Sequence, residues 1–222
     1  MNIIEIKNLS KFYNQAHEQI KVLEEVFLNV KKGEFVSIIG PSGSGKSTLL
    51  NIIGLMDSIF SGNVLICGRD ISFMSEDEKS EFRIKKIGFV FQFDSLLGEF
   101  NVLENVDMPA RIMNKSSLKV SMELLKKFSL EKLSYKMPNE ISGGEKQRVA
   151  ILRALRNSPE ILIADEPTGN LDKNNANLVL SDLARLHKSG LSIIMVTHNE
   201  ELASKYCDSI YRIESSKLIR AN

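Results

Sequence analysis

The pattern of apolar and polar residues divides the chain into three parts, and the first part is mainly β in character. Residues 3–9 and 22–30 alternate apolar and polar side chains, as half-buried strands do. Phe35–Ile39 is a short apolar run of the kind that forms a buried parallel strand. Further short strands are predicted over residues 64–66 and 88–91.

The middle of the chain is helical, and strands return after it. Apolar residues recur at three- and four-residue spacing in three segments: 102–113, 117–128 and 143–157. Strands and helices then alternate: strand 161–164, helix 174–187, strand 192–196 and a short helix from residue 200. This order indicates an α/β core that carries an inserted helical subdomain. We expect one domain of 222 residues, with a core over 1–91 and 158–222 and a helical subdomain over 92–157.

A phosphate-binding loop is predicted at residues 40–47, GPSGSGKS, between the strand Phe35–Ile39 and a predicted helix over 47–53. Glycines let backbone N–H groups converge on one point, and the helix N-terminus adds partial positive charge. Lys46 is expected to reach the β- and γ-phosphates, and Ser47 to offer its hydroxyl to Mg²⁺. The alternative is a Gly/Ser turn that only caps a helix, and the flanking strand and helix disfavour it.

Two carboxylates, Asp165 and Glu166, follow the apolar strand 161–164. In enzymes with this loop the aspartate that ends such a strand holds Mg²⁺, which suits Asp165 alongside Ser47. Glu166 can orient the attacking water or accept its proton. Taken alone, the pair before Pro167 is as readily a solvated turn; together with the phosphate loop, it favours the functional interpretation.

The segment between these motifs, ISGGEKQ at residues 141–147, opens a predicted helix. The phosphate loop alone leaves kinases, GTPases, helicases and transport ATPases open. The Ser-Gly-Gly run resembles the signature motif of ABC transporter ATPases, and the resemblance extends over essentially the whole chain. It implies a P-loop α/β core with an N-terminal antiparallel β subdomain and an inserted α-helical subdomain.

The same resemblance implies roles for residues that carry little weight singly. Tyr13 is similar to the aromatic residue that stacks on adenine, Gln92 to the Q-loop glutamine and His198 to the switch histidine, and residues 169–172 resemble the D-loop. The implied catalytic residues are Glu166, His198, Gln92 and Lys46. The implied Mg²⁺ ligands are Ser47, Gln92 and Asp165. The implied nucleotide contacts are Tyr13, Gly40, Pro41, Ser42, Gly43, Ser44, Gly45, Lys46, Ser47, Thr48, Gln92, Ser142, Gly143, Gly144, Asp165, Asp172 and His198.

The signature segment can form a second anion site within one chain. Ser142 can cap the helix that follows, while Gly143 and Gly144 leave its N–H groups bare. A polyphosphate needs only one cradle, so the second site is expected to serve a nucleotide held by another subunit. The resemblance implies a head-to-tail dimer of two copies, closed by a two-fold axis, with two ATP molecules and Mg²⁺ between a phosphate loop and the opposite signature.

Four stretches resemble one branch of the family: residues 88–93, 103–106, 142–150 and 164–172. This branch contains lipoprotein-releasing ATPases, macrolide exporters and the cell-division transporter ATPase. Three segments are most similar to the lipoprotein-releasing type: 92–97, 107–109 and 175–176. Gly98 departs from that type, which usually has proline there. Glu145 replaces the glutamine of the general signature, although this branch often has Glu there, and Ile141 replaces leucine.

The branch implies partners in a membrane. Integral membrane permease subunits are expected to dock near the Q-loop and the helical subdomain, which places the chain at the cytoplasmic face of the inner membrane as a peripheral subunit. The sequence itself has no apolar run near the 18 or so residues that span a bilayer and no secretory signal at its start. Two distant cysteines, Cys67 and Cys207, are expected to be small core residues in a reducing compartment.

Charge and motif count bear on the rival function classes. The chain has 29 basic and 28 acidic side chains, a balance that gives no support to a nucleic-acid partner. ABC-type ATPases that act on DNA or ribosomes usually carry a long coiled-coil insert or two ATPase domains, whereas this chain has one set of motifs and a short insert. A regulatory module that binds ATP without hydrolysis is disfavoured by Glu166, His198 and Gln92 together.

Overall fold

Two β-sheets form the frame of the protein, whose computed structural model describes residues 1–15, 18–92 and 96–221. The first sheet contains β1 (Asn2–Gln15), β2 (Glu18–Lys31), β4 (Ser61–Ile66) and β5 (Arg69–Asp70). The second contains β3 (Phe35–Ile39), β6 (Ile87–Val90), β7 (Ile161–Asp165), β8 (Ser192–Val196), β9 (Ser209–Glu214) and β10 (Lys217–Arg220). The first sheet is antiparallel in the order β2-β1-β4-β5, and the second has the order β10-β9-β3-β8-β7-β6.

The second sheet is parallel except at one edge, where β10 runs antiparallel to β9. All five residues of β3 and of β8 are buried, which agrees with their largely apolar sequences. Strand β8 lies between β3 and β7, and Val196 pairs with both Ile38 and Asp165. The carboxyl ends of these three strands therefore meet at one edge of the sheet, which is where open α/β sheets bind ligands.

Seven helices accompany the sheets in the described part of the chain: α1 (Lys46–Ile53), α2 (Glu76–Lys86), α3 (Val102–Ile112), α4 (Leu118–Lys127), α5 (Gly143–Leu155), α6 (Lys173–Lys188) and α7 (Glu200–Tyr206). Helices α3 to α5 share an apolar core to which Val106, Leu125 and Val149 contribute. The predicted α/β core with an inserted helical subdomain is confirmed. No helix formed by residues 1–15, 18–92 or 96–221 is long and apolar enough to cross a membrane.

Buried polar side chains hold the helical subdomain together and fix the segment that precedes α3. Asn105 is fully buried, and its amide donates to the carbonyls of Leu97 and Phe100 at 3.0 and 2.8 Å. Its Oδ1 accepts from the Leu97 N–H at 2.8 Å. Asp107, also fully buried, accepts from Ser121 Oγ at 2.7 Å and pairs with Arg156 at 2.9 Å. These bonds tie α3, α4 and the end of α5 together.

Helix α2 and strands β9 and β10 were not expected from the apolar pattern. Helix α2 is held by its ends: Ser75 and Glu78 form a reciprocal capping box, and acidic residues in the first turn and basic ones in the last complement the helix dipole. In β9 the buried apolar residues are Ile210 and Ile213, three positions apart. That spacing does not match the two-residue period of a strand, so it gave no strand signal.

The two cysteines are half-buried and neither forms a disulfide. Burial raises the pKa of the Cys67 thiol to about 11 and that of Cys207 to about 12. Both side chains are therefore protonated thiols at neutral pH.

Candidate nucleotide-binding and hydrolysis site

The loop at residues 40–47 joins β3 to α1 and depends on glycine at two points. Gly40 has a φ of +151° and Gly45 a φ of +102°, where side chains are strained. A Cβ on Gly40 would lie 2.9 Å from the Ile213 carbonyl oxygen, and one on Gly45 would lie 3.0 Å from that of Val22. The loop is therefore packed against both sheets, which fixes its shape.

The concave side of this loop carries groups suited to an anion. Helix α1 begins at Lys46 with no side-chain cap and no acidic residue in its first turn, which leaves its N-terminal end suited to an anion. Ser44 Oγ is buried and has no hydrogen-bond partner among the residues that the structure describes. The buried Lys46 folds back over the loop, and its Nζ donates to the carbonyls of Gly40 and Pro41 at 2.9 and 2.7 Å. Of the other predicted contacts, Ser42 is exposed and Thr48 is half-buried in α1.

Ser47 and Asp165 meet across the edge of the sheet. Ser47 Oγ donates to Asp165 Oδ2 at 3.1 Å, which joins the start of α1 to the end of β7. Burial raises the pKa of Asp165, and the neighbouring charge of Glu166 adds to this, while the hydrogen bond from Ser47 opposes it. Hydroxyl and carboxylate oxygens are ligands that Mg²⁺ takes together with phosphate and water. In the part of the chain that is described, no cluster of three or more His, Cys, Asp or Glu side chains offers a protein-only metal site.

Glu166 and His198 form the second pair at this edge. His198 Nδ1 lies 2.8 Å from Glu166 Oε2, and the Glu166 N–H donates to the Val196 carbonyl at 2.9 Å. Glu166 has a φ of +45°, a left-handed conformation that a residue other than glycine adopts at a cost of about 1–3 kcal/mol. The carboxylate is mostly buried, whereas the His198 side chain is 66% exposed.

Gln92 joins the same group through its approach to Gly169. A Cβ on Gly169 would lie 3.2 Å from Gln92 Nε2 and 3.3 Å from Glu166 Oε2. The structure thus brings together Gln92, the carboxylate after β7 and the histidine after β8. The segment 92–97, which carried part of the branch resemblance, includes residues 93–95, which lie outside the described residues.

Tyr13 lies on the face of the β1–β2 hairpin that meets the phosphate loop. Tyr13 pairs directly with Ile20, and Lys11, two residues before Tyr13 on the same face of β1, pairs with Leu23. A Cβ on Gly45 would lie 3.1 Å from Leu23 Cδ2. Tyr13 is 42% exposed, so its ring retains open surface beside the loop.

The signature segment forms an exposed helix start that packs on the D-loop. The Ser142 hydroxyl accepts from the Glu145 N–H at 3.3 Å, and Glu145 Oε2 accepts from the Ser142 N–H at 2.8 Å, a capping box at the start of α5. Ser142 and Gly143 are exposed, whereas Gly144 is buried against Asn175 of α6. Within the described ranges, no hydrogen bond or ion pair joins residues 142–144 to residues 40–48 of the same chain.

Asp172, expected to contact nucleotide, caps a helix. Its Oδ1 accepts from the backbone N–H groups of Asn174 and Asn175 at 2.9 and 3.1 Å, which fixes the start of α6. The hydrogen bond from the Asn175 N–H is the main cause that lowers the pKa of Asp172. Its carboxylate therefore shapes the D-loop in this structure, beside the buried Gly144.

Gln147 was part of the signature segment but had been given no role. Its Nε2 donates to the Phe91 carbonyl at 3.2 Å, and Phe91 directly precedes Gln92. Helix α5, which begins at the signature, is thereby bonded to the start of the Q-loop. The spacing offered one signal, because Gln147 lies three residues after Gly144 and so on the same face of the helix.

The two signature glycines provide a test that separates packing from binding. Gly144→Ala is expected to destabilise the protein by about 1–3 kcal/mol, because its Cβ would overlap Asn175 Oδ1 and force the start of α6 to shift. Gly143→Ala has room, since its Cβ would meet only Leu171 Cδ2 at 3.7 Å. Urea unfolding of both variants measures this difference; equal destabilisation would contradict the packing seen at α5 and α6.

Comparison with known proteins identifies the family. A family model described as ABC transporter matches residues 23–169, more than half of the chain. The chain belongs to the ABC transporter family. It is an ATPase of that family, and its fold is that of an ATP-binding cassette.

Two relatives and one solved structure illustrate the similarity. The chain is 42% identical over 224 residues to the lipoprotein-releasing system ATP-binding protein LolD of Buchnera aphidicola subsp. Acyrthosiphon pisum, covering 98% of each chain. It is 44% identical to the macrolide export ATP-binding/permease protein MacB of Mannheimia succiniciproducens, with 99% of this chain matched to only 34% of that protein. The ATP-binding cassette MJ0796, solved as a dimer in a post-hydrolysis state bound to ADP and Pi, matches with a TM-score of 0.88 and 38% identity, over 99% of each chain.

Proposed function

We propose that this chain binds MgATP at the carboxyl edge of its parallel sheet, hydrolyses it between two copies of itself and thereby drives membrane permeases that release lipoproteins. The observation that carries the hydrolytic part is the pairing of Glu166 with His198 at 2.8 Å, next to the Ser47–Asp165 contact at 3.1 Å. A base and two oxygen ligands converge where the phosphate loop opens, which is the arrangement that phosphoryl transfer to water requires.

Each predicted site residue at the carboxyl edge of the parallel sheet has a role in this mechanism. The loop N–H groups and Lys46 bind the β- and γ-phosphates. Ser47, Asp165 and Gln92 would hold Mg²⁺, which when bound supplies charge that neutralises the phosphoryl oxygens. Glu166 orients the attacking water and takes its proton, and His198 holds Glu166 and stabilises charge on the phosphoryl group. Tyr13 stacks on adenine.

The second copy completes the site through its signature. Ser142 and Gly143 are exposed and open a helix. The Ser142 N–H is used in the capping box, and the N–H groups of Gly143 and Gly144 are proposed to bind the γ-phosphate of a nucleotide in the partner subunit. Asp172 shapes the D-loop that passes between the two sites. The dimeric state of the similar cassette MJ0796 supports this assembly. Loss of the γ-phosphate removes the bridge between the copies, and the dimer opens.

Lipoprotein release is the transport that the comparisons favour. Relatives named as lipoprotein-releasing system ATP-binding protein LolD match this chain over nearly the full length of both proteins, which favours lipoprotein release. We propose that the permeases dock on the helical subdomain, residues 92–157, and on the Q-loop, and that the core comprises residues 1–91 and 158–222. The chain would then sit at the cytoplasmic face of the inner membrane. Macrolide export is the second candidate, favoured by the 44% identity to MacB.

A capture experiment tests the transport assignment. The Glu166→Gln protein, loaded with MgATP, serves as bait in detergent-solubilised native membranes, and bound proteins and acylated peptides are identified by mass spectrometry. Two different permeases recovered with lipoprotein are the expected result. A single permease without lipoprotein would replace lipoprotein release by the macrolide-export candidate. Recovery of no membrane protein, with or without ATP, would contradict the transporter role itself.

A further inference from the structure

A buried lysine lies beneath the tyrosine next to the phosphate loop. The Lys11 side chain is 3% exposed, and its ammonium lies 4.7 Å from the centre of the Tyr13 ring, over one face. The same ammonium donates to Asp57 Oδ1 at 2.7 Å and to the Ile59 carbonyl at 2.6 Å. These two hydrogen bonds hold the Lys11 ammonium in one position, in contact with one face of the Tyr13 ring.

Asp57 holds the tyrosine at its other end. Tyr13 Oη donates to Asp57 Oδ2 at 3.2 Å, while Asp57 Oδ1 accepts from the Ile59 N–H at 3.0 Å as well as from Lys11. Asp57 follows the end of α1, the helix that the phosphate loop opens, and its own N–H donates to the carbonyl of Asn51 in that helix at 3.2 Å. Through Asp57, these hydrogen bonds fix the Tyr13 ring relative to α1, the helix that follows the phosphate loop.

We propose that Lys11 and Asp57 are positioning residues that orient the Tyr13 ring for the adenine base. This inference rests on the proposed function, in which Tyr13 stacks on adenine. An ordered ring loses less conformational freedom when a base stacks on it, and a side chain fixed from below cannot fold away from the loop. The cation on one face leaves the opposite face of the half-exposed ring for the base.

The test compares a ligand that carries the base with one that lacks it. ADP and inorganic pyrophosphate both engage the phosphate loop, and neither is hydrolysed at the γ-position. Binding of each is measured by calorimetry with Mg²⁺ for four variants: Lys11→Met, Asp57→Asn, Tyr13→Ala and the double variant Lys11→Met/Tyr13→Ala. Lys21→Met is the matched control, because Lys21 pairs with Phe12 on the other face of the hairpin and its ammonium bonds the exposed Glu24.

Lys11→Met and Asp57→Asn are expected to weaken ADP binding about fivefold, a loss consistent with one cation–π contact and an ordered ring, and to leave pyrophosphate binding unchanged. Tyr13→Ala is expected to weaken ADP binding about tenfold, and the double variant to bind no more weakly than Tyr13→Ala, because Lys11 acts through the ring. Lys21→Met should bind both ligands as the unmodified protein does.

The outcomes separate the inference from the function on which it rests. If Tyr13→Ala leaves the affinity for ADP unchanged, the stacking role of Tyr13 fails. If Tyr13→Ala weakens ADP binding while Lys11→Met and Asp57→Asn do not, the positioning role alone is overturned. Equal weakening of ADP and pyrophosphate by Lys11→Met, or additive losses in the double variant, would show a general disturbance of the loop and would also overturn it.

Discussion

Glu166→Gln is expected to lower kcat for ATP hydrolysis by about three orders of magnitude while ATP binding persists. The amide has the size of the carboxylate but cannot accept the proton of the attacking water. Because ATP is not hydrolysed after two copies have associated, the dimer does not reopen, and the variant should accumulate as an ATP-bound dimer. Steady-state phosphate release measures the first effect, and light scattering during size-exclusion chromatography with and without MgATP measures the second.

Glu160→Gln is the control for this variant, because Glu160 precedes the same strand at its opposite end. Glu160 pairs with Lys86 and Lys32, away from the edge where β7 ends, so its substitution should leave kcat within about twofold, as for other surface ion pairs. Hydrolysis by Glu166→Gln at the rate of the unmodified protein would remove Glu166 from the role of base. A monomeric Glu166→Gln protein in saturating MgATP would contradict the shared-site dimer.

Ser142→Arg is expected to abolish the ATP-dependent dimer and to reduce hydrolysis by at least about 100-fold, the scale of losing one set of phosphoryl-stabilising donors. The long side chain would fill the exposed helix start that receives the partner's γ-phosphate. Nucleotide binding to the phosphate loop of the same chain should be unchanged, since no hydrogen bond joins residues 142–144 to that loop among the described residues. Equilibrium binding of ADP and dimer formation by the doubly substituted Ser142→Arg/Glu166→Gln protein check both points.

Ser142→Ala separates the bulk of the arginine from the loss of the capping hydroxyl. Removal of the cap costs about 1 kcal/mol of stability but leaves the helix start open. This variant should therefore still dimerise when it carries Glu166→Gln. A normal ATP-dependent dimer of the Ser142→Arg protein would refute the assignment of the signature to the partner's nucleotide.

Much of the catalytic edge could be predicted from the order of motifs along the chain. The phosphate loop follows one buried apolar strand and the Asp165–Glu166 pair follows another, and parallel strands present their carboxyl ends at the same edge. Their meeting, seen in the contact between Ser47 and Asp165, was therefore expected. The apolar pattern did not predict β9, because its buried residues are irregularly spaced. It did not predict α2 either, because that helix is stabilised by the residues at its two ends and has few apolar residues.

The contacts that orient these side chains could not be predicted. Sequence alone does not show that β8 lies between β3 and β7, which is what places His198 beside Glu166. It likewise gave no partner for Gln147 at Phe91, and it did not place Lys11 beneath Tyr13. The first two of these contacts join distant segments, since Gln147 and Phe91 are 56 positions apart. Lys11 and Tyr13 are neighbours on β1, but what holds the lysine in place is Asp57, 46 positions away.

The sequence by itself determined the local chemistry of this protein: the glycines and lysine of the phosphate loop, the capped start of the signature helix and the two carboxylates after β7. These features depend on backbone conformation and hydrogen bonds within a turn or two, which neighbouring residues decide. The tertiary structure alone decided which of them share a site. Strand order and the packing of α5 against α6 are set by burial between distant segments, and no local pattern encodes the partner against which an apolar face will be buried.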